Sequence, residues 1–176
     1  GGTFAESCDL ILINHQSMLD IIVMEHLHNR NIAWVAKKEI TDLFFFGHII
    51  KAPKMISIDR ENKAGLIHLL SEAKDRLSKG RPIAMFPEGT RSDGTYIGEF
   101  KAGAKMVGNK FNLKVQPVVM FNTRNIVNSQ KMEAAPGVVK VIYLKPVVAS
   151  KDTSWYEDCE KNMKEVFEKE YKNYVS

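Results

Sequence analysis

The chain has 176 residues, of which 44% are hydrophobic and 26% are charged, a composition typical of a globular domain and not of a disordered chain. A chain of this length buries about 70% of the surface that it exposes when unfolded, so a hydrophobic core forms without disulfides. The net charge of +4 is modest, and the two cysteines, Cys8 and Cys159, exclude a disulfide scaffold and a zinc ribbon. This cysteine usage predicts a reducing compartment, with a single bridge left open.

Short apolar runs alternate with helical patterns along the chain. Strands are predicted over Leu10–Ile13, Ile32–Ala36, Ile56–Asp59, Pro82–Phe86, Val115–Phe121 and Val138–Val148, and helices over Met18–His28, Lys63–Ser78, Ala102–Phe111 and Trp155–Tyr174. The segment Lys38–Phe46 is ambiguous, and the glycine-containing segment Pro87–Lys101 is predicted to be a loop. This order predicts an α/β fold, a single domain over residues 1–176 with a largely parallel central sheet flanked by helices.

No stretch of the sequence is long and apolar enough to span a membrane. The longest apolar run, Leu43–Ile50, falls far short of the roughly 20 residues that a spanning helix needs. No signal peptide is visible either. Because the first predicted strand begins at Leu10, we expect a membrane segment to precede this domain in the whole protein.

Positive charge is concentrated in one stretch of the sequence. Six basic residues and no acidic residue lie between Phe100 and Met132, whereas the residues from Lys151 onward include five basic and seven acidic ones. A basic body suits an anionic partner, such as a phosphorylated substrate, a lipid surface or an acidic carrier protein. A general solubility charge explains the same distribution. No motif for nucleic-acid binding accompanies it, so nucleic acid is not an expected partner.

The first candidate for chemistry is the segment Asn14–Asp20, which reads NHQSMLD and opens the first predicted helix. A histidine can act as a general base when a carboxylate fixes its tautomer. His15 and Asp20 would lie on different faces of a continuous helix, so they meet only if His15 precedes the helix. Ser17 as the N-cap residue would place it there. The alternative is a capping pattern formed by Ser17 and Asp20, with a plain loop histidine.

The other candidates also follow predicted strands or open helices. Arg91, in the segment FPEGTRS after the fourth strand, offers a planar fork suited to a phosphate, or belongs to an ordinary surface turn. Arg60 is an anion clamp or the partner of Asp59 in a salt bridge. Lys101 places a positive charge at a helix N-terminus or is solvated. The histidines are poorly spaced for a metal site, so none is expected.

Taken together, these segments resemble the glycerolipid acyltransferase family, specifically 1-acylglycerol-3-phosphate acyltransferases of the bacterial PlsC type. Asn14–Asp20 is similar to the family's NHxxxxD block and Phe86–Ser92 to its FPEGTRS block. Weaker similarities to the second block, the fourth block and the KxEL-like and FKxGA stretches lie at Ile58–Arg60, Val115–Val119, Lys37–Ile40 and Phe100–Ala104. The sequence departs from the family's usual glycine and proline near Lys54-Met55 and Phe45-Phe46. The triplet Phe44–Phe46 belongs to the core or to a membrane-facing patch.

The resemblance implies transfer of a fatty acyl chain from acyl-CoA or acyl carrier protein to the 2-hydroxyl of lysophosphatidic acid. The product would be phosphatidic acid, made at the cytoplasmic face of a membrane. His15 is implied as the general base and Asp20 as its orienting partner, without a covalent intermediate on Ser17 or a cysteine. The residues implied to bind substrate are Arg60, Glu88, Gly89, Thr90, Arg91 and Lys101. No cofactor and no metal are expected, because protein side chains supply the cations.

Two alternatives remain beside this interpretation. An acyltransferase of the same family could use glycerol-3-phosphate or another lysophospholipid as its acceptor. A non-catalytic module that binds lipid or a carrier protein would need no paired base and carboxylate.

Overall fold

The computed structural model describes residues 7–37, 55–58 and 63–175 of the chain. The ambiguous segment 38–46, including Phe44–Phe46, lies outside these residues, and so does Arg60. The described strands are β1 (Leu10–Ile13), β2 (Ala33–Lys37), β3 (Ile56–Ile58), β4 (Ile83–Met85), β5 (Lys114–Phe121), β6 (Val127–Asn128), β7 (Glu133–Ala134), β8 (Lys140–Tyr143) and β9 (Val147–Val148). The described helices are α1 (Leu19–Leu27), α2 (Lys63–Ser78), α3 (Ala102–Phe111), α4 (Thr123–Ile126) and α5 (Trp155–Val175).

The main sheet has the order β3-β2-β4-β1-β5-β8, and its first five strands are parallel. The strands β8 and β9 both pair with β5, and both run antiparallel to it. A separate hairpin pairs β6 with β7. The predicted α/β fold with a largely parallel sheet is therefore confirmed.

Strand alternation sends the buried side chains to two cores. Leu10 and Leu12 of β1 join one core, and Ile11 and Ile13 join the other, because neighbouring residues of a strand point to opposite faces. Side chains of α2, α3 and α5 cover the first face, and Met24 of α1 lies in the second core. Both faces of the parallel strands are thus covered, as such sheets require.

The segment predicted as one strand over Val138–Val148 is instead two short strands, so that prediction was wrong. β8 ends at Tyr143 and β9 begins at Val147. Pro146, between them, has no N–H for a ladder and also restricts the residue before it. The third predicted strand is described over Ile56–Ile58, and its predicted last residue, Asp59, lies outside the described residues.

The site follows from the strand order β4-β1-β5. These neighbours are parallel, so their carboxyl ends lie at one edge of the sheet. Adjacent strands are about 4.8 Å apart, which brings the segments after the three strands within roughly 10 Å of one another. In open parallel sheets, functional side chains gather at this edge.

Candidate active site

His15 and Asp20 meet in the turn between β1 and α1. His15 lies two residues after the end of β1, and α1 begins at Leu19. The His15 Nδ1 atom is 2.8 Å from Asp20 Oδ2, which confirms the predicted contact across five residues. The prediction of Ser17 as the N-cap was wrong by one residue, because Met18 occupies that position. The Ser17 hydroxyl still accepts a hydrogen bond from the Leu19 N–H at 3.3 Å.

The Asp20 carboxylate is completely buried and is surrounded by donors. Its Oδ2 atom accepts from the backbone N–H groups of Gln16 and Ser17 at 2.8 and 2.9 Å, in addition to His15. Its Oδ1 atom accepts from the Thr123 hydroxyl at 2.5 Å. These bonds offset the cost of burying a charge. An anion at Oδ2 assigns the hydrogen of the imidazole to Nδ1, and this leaves the Nε2 lone pair for a proton.

The loop after β4 contacts the imidazole face and the backbone of His15. Phe86 stacks on the imidazole, with ring centroids 3.7 Å apart and an angle of 11° between the planes. The His15 N–H donates to Glu88 Oε1 at 2.7 Å, and the His15 carbonyl accepts from the Ser92 N–H at 2.8 Å. The first and third sequence blocks therefore form one structure, in which the third supports the histidine of the first.

Glu88 faces the protein interior. Only 3% of the residue is exposed, and its Oε2 atom accepts from the Gly98 N–H at 2.7 Å. Burial raises the pKa of Glu88 to about 7, and the nearby charge of Asp20 acts in the same direction. The hydrogen bonds from Gly98 and His15 oppose this rise. The structure thus places this carboxylate between two backbone segments, where the sequence analysis had it among the substrate-binding residues.

The three residues that follow Glu88 in the loop after β4 are less buried than Glu88. Gly89 adopts a left-handed conformation with φ of 74°, and its N–H closes a turn onto the Phe86 carbonyl at 3.1 Å. Thr90 is exposed. Arg91 is half-buried, and its Nη1 atom donates to the Ser129 hydroxyl at 2.9 Å. A glycine suits the turn at residue 89 because a Cβ disfavours positive φ.

Lys101 lies at the N-cap of α3, as predicted, with an exposed side chain. Its backbone is held on both sides. The Lys101 N–H donates to the Pro87 carbonyl at 2.8 Å, and its carbonyl accepts from the Tyr156 hydroxyl at 2.6 Å. The start of α3 is therefore attached to the loop that carries Glu88 and Arg91.

Asn14 and Thr123 contribute to the site, although the sequence analysis assigned no role to either. The Asn14 amide donates to the Met120 carbonyl at 3.0 Å and accepts from the Met120 N–H at 2.7 Å, which ties the end of β1 to β5. Thr123, two residues after the end of β5, reaches Asp20. Asn14 stands next to His15 in the first block, but nothing in the sequence around Thr123 marks it.

The residues that could serve as nucleophiles are engaged or buried. The Ser17 hydroxyl donates to the Val127 carbonyl at 2.6 Å. Cys8 and Cys159 are free and buried, and burial raises the pKa of Cys159 to about 12 and also raises that of Cys8. These thiols have little thiolate character, and thiolate is the reactive form.

The basic stretch from Phe100 to Met132 does not form one surface. Lys101 stands beside the loop after β4, whereas Lys114 begins β5 and therefore lies at the sheet edge opposite His15. Lys110, in the last turn of α3, belongs to that opposite edge too. Lys105 pairs with Glu157 at 2.5 Å. The basic residues of this stretch therefore lie at both edges of the sheet, and only part of the stretch borders the site.

None of the helices in the described part of the chain combines the length and apolar character that membrane crossing requires.

Comparison with known proteins places this geometry in context. Residues 6–121 match the family described as Acyltransferase, which covers β1 to β5 and both loops around His15. The chain is 41% identical over 175 residues to the 1-acyl-sn-glycerol-3-phosphate acyltransferase of Helicobacter pylori strain J99, an alignment that covers 97% of this chain and 73% of that protein.

The chain is also similar to a relative with a different named acceptor and to a solved structure. The lyso-ornithine lipid O-acyltransferase of Brucella abortus is 30% identical over 131 residues, which cover 70% of this chain and 48% of that protein. The crystal structure of the 1-acyl-sn-glycerophosphate acyltransferase PlsC from Thermotoga maritima superposes with a TM-score of 0.74 at 24% identity. That match covers 98% of this chain and 68% of the solved one, and it shows a common fold.

Proposed function

Because the chain belongs to the acyltransferase family, we propose that it transfers a fatty acyl chain to the 2-hydroxyl of lysophosphatidic acid. The product is phosphatidic acid, an intermediate of phospholipid synthesis. The observation that carries this proposal is the buried His15–Asp20 pair, held by the loop that contains Glu88. The name of the Helicobacter relative, which aligns with nearly the whole chain, supports the same acceptor.

The proposed reaction begins with proton transfer to His15. The acceptor hydroxyl gives its proton to Nε2 as its oxygen attacks the carbonyl carbon of the acyl thioester. Asp20 holds the Nδ1 hydrogen and stabilises the imidazolium that forms. General-base assistance of this kind contributes about 10²–10⁴-fold.

The second step breaks the carbon–sulfur bond. The tetrahedral intermediate collapses, the thiolate leaves, and it receives the proton from the His15 imidazolium. The new ester and the free thiol are the products, and the base is regenerated. No protein nucleophile takes part, in agreement with the engagement of Ser17 and the burial of both cysteines. The reaction requires no cofactor, because the thioester is already activated.

Substrate binding is proposed for Arg91 and Lys101, which lie at the same edge of the sheet as His15, and for Arg60, which lies outside the described residues. Arg91, Lys101 and Arg60 would contact the phosphate, with Arg91 offering the bidentate geometry that phosphate favours. Gly89 and Thr90 would border the glycerol moiety. The exposure of Lys101 and Thr90 is compatible with this role. Glu88 would shape the site indirectly, through the backbone of His15.

The acyl donor is proposed to be acyl-CoA or acyl carrier protein. The enzyme is proposed to meet its acceptor at the cytoplasmic face of a membrane. The name of the Brucella relative, a lyso-ornithine lipid O-acyltransferase, supports a further candidate acceptor, a lysolipid with an amino-acid head group in place of the phosphate. An enzyme of that kind would not need Arg91 for its acceptor, so the effect of Arg91→Lys on the KM for lysophosphatidic acid distinguishes the two.

The proposal is tested by measuring thiol release from a long-chain acyl-CoA with and without lysophosphatidic acid. We expect acceptor-dependent release by the wild type and a loss of about 10²-fold or more in His15→Ala. His26→Ala is the matched control, because His26 is an exposed histidine of α1. Equal activity of the His15 variant would remove that residue as the base. Inactivity of the wild type with both acyl-CoA and acyl carrier protein would favour the non-catalytic binding module.

A further inference from the structure

The Asp20 carboxylate has one bond that the acyltransferase sequence blocks do not account for. Its Oδ1 atom accepts only from Thr123 in the described part of the chain, whereas Oδ2 accepts from three groups. Thr123 is fully buried, and it follows Asn122, which adopts a left-handed conformation with φ of 72°. This sharp turn after β5 aims the hydroxyl back at the first turn of α1.

The direction of this hydrogen bond follows from counting hydrogens. The Thr123 oxygen lies 2.5 Å from Asp20 Oδ1 and 3.2 Å from the Gln16 side-chain amide. A hydroxyl has one hydrogen, and the closer, anionic acceptor takes it. The contact with Gln16 is then satisfied only if the amide presents its NH₂ group to the threonine oxygen.

Gln16 supports this arrangement independently. It is 1% exposed, and its Nε2 atom, with the amide oxygen turned toward Thr123, has no partner among the described residues. The amide oxygen and nitrogen are interchangeable by a half-turn of the group. Turning it over gives a continuous chain in which Gln16 donates to Thr123 and Thr123 donates to Asp20.

We propose that Thr123 is a positioning residue for the general base, because its hydroxyl orients the Asp20 carboxylate and so holds the hydrogen on His15 Nδ1. The inference rests on the proposed acyl transfer. Without Thr123, Oδ1 is a buried anionic oxygen with no donor among the described residues, and only the three donors at Oδ2 orient the carboxylate. A proton then binds the His15–Asp20 pair more tightly, since hydrogen bonds to a carboxylate favour its ionised form.

The kinetic test compares Thr123→Val with Thr123→Ser in the thiol-release assay. We expect the valine variant to lose about tenfold to a hundredfold in kcat with little change in KM, and the serine variant to stay within about threefold of the wild type. Thr95→Val is the matched control, because the Thr95 hydroxyl also donates to a carboxylate, that of Asp93, at 2.6 Å but at an exposed position. Unchanged kcat in Thr123→Val would overturn the proposal.

A double-mutant cycle separates positioning from a merely structural role. In an Asp20→Ala background, Thr123→Val has no carboxylate left to act on, so we expect its effect on kcat to disappear. An equal loss in both backgrounds contradicts the proposal. If the valine variant does not fold, Thr123→Cys replaces it, since a thiol fits the space but donates weakly. A cysteine variant as active as the wild type would then be the contrary result.

An NMR titration of the His15 ring tests the inference without any turnover. We expect its midpoint in Thr123→Val to move to higher pH by about half a unit or more, and that in Thr123→Ser to stay close to the wild type. Glu88, which accepts from the His15 N–H, is the same in all variants, so its titration does not contribute to the difference. An unmoved midpoint overturns the positioning role, whereas an inactive wild type with a moved midpoint overturns the proposed acceptor or donor alone.

Discussion

Two buried carboxylates lie against His15, and they contact different parts of it. Asp20 accepts from the ring nitrogen Nδ1, and three other donors complete its surroundings. Glu88 accepts from the backbone N–H of the same residue, and its only other donor in the described chain is Gly98. The first carboxylate is placed to support charge on the imidazole. The second is placed to fix the path of the chain on which the imidazole stands.

The number of donors also affects how well each of the two carboxylates tolerates a buried negative charge. Glu88, with two donors, has its pKa raised to about 7 by burial. Burial therefore acts against the charge of Glu88, which has one donor on each oxygen, whereas Asp20 has four hydrogen-bond partners. A carboxylate that supports a catalytic base must stay ionised, whereas one that bridges two backbone segments can carry a proton without losing its place. Three substitutions test this division, and their expected effects decrease in order.

The largest effect is expected for Asp20→Asn. The amide removes the negative charge beside Nδ1 and can impose the wrong tautomer on His15, so we expect kcat to fall by roughly 10³-fold or more. Circular dichroism and a denaturant titration serve as checks on folding. A decrease in kcat of less than tenfold in a folded variant would show that His15 acts as a base without the Asp20 carboxylate. The proposed difference between the roles of Asp20 and Glu88 would then be wrong.

A smaller effect is expected for Glu88→Gln. The amide accepts one backbone hydrogen bond but sets an NH₂ group against the other N–H, which costs about 1–3 kcal/mol of stability. Because His15 shifts without losing its partner Asp20, we expect kcat to fall by only about tenfold. Steady-state kinetics at pH 8 measure this, and a loss as large as that of Asp20→Asn would show that Glu88 is part of the chemistry.

The same variant has a pH signature in stability. The pKa of Glu88 is raised from 4.5 to about 7, so the folded state binds a proton more tightly than the unfolded chain. Its contribution is fully present below about pH 4.5 and is lost as the pH rises through 7. We therefore expect the free energy of unfolding of the wild type to decline over this range relative to Glu88→Gln, in urea titrations at several pH values. Parallel curves would contradict the raised pKa.

The smallest effect is expected for Gly98→Ala. A Cβ at Gly98 would lie 3.1 Å from Glu88 Oε2, so Glu88 must move by a few tenths of an ångström, at a cost of about 1 kcal/mol. We expect kcat to fall by about twofold to fivefold through the bond from Glu88 to His15. Gly103→Ala is the matched control, because a Cβ at Gly103 would lie 3.8 Å from Met85, an ordinary contact distance. Gly103 belongs to α3, where alanine in place of glycine adds up to about 1 kcal/mol of stability. Equal kcat in both glycine variants would show that the position of Glu88 does not affect catalysis by His15.

The sequence predicted most of the regular elements because the patterns that signal them are local. The apolar run of β1 and the helical spacing of α2 appear in the structure at their predicted bounds. The region after β5 was harder to predict. α4 and the β6–β7 hairpin were missed, since the polar segment after Phe121 has no apolar periodicity, and its two short strands are set by pairing with each other.

For the site, the sequence by itself determined which side chains are available for chemistry. A histidine between a strand and a helix can contact an aspartate five residues on only if the histidine precedes the helix, and the structure has this contact. The block FPEGTRS after a second strand was recognisable as a unit for the same reason, because turn residues and their order are local features.

Only the tertiary structure decided what those side chains contact. The neighbouring positions of β4, β1 and β5 bring Glu88 to the backbone of His15 and Thr123 to the carboxylate of Asp20, across 73 and 103 residues of sequence. They also separate Lys110 and Lys114 from Lys101, although all three belong to one basic stretch. Strand order depends on how helices cover the two faces of the whole sheet, and therefore no local pattern records which distant residue completes the site.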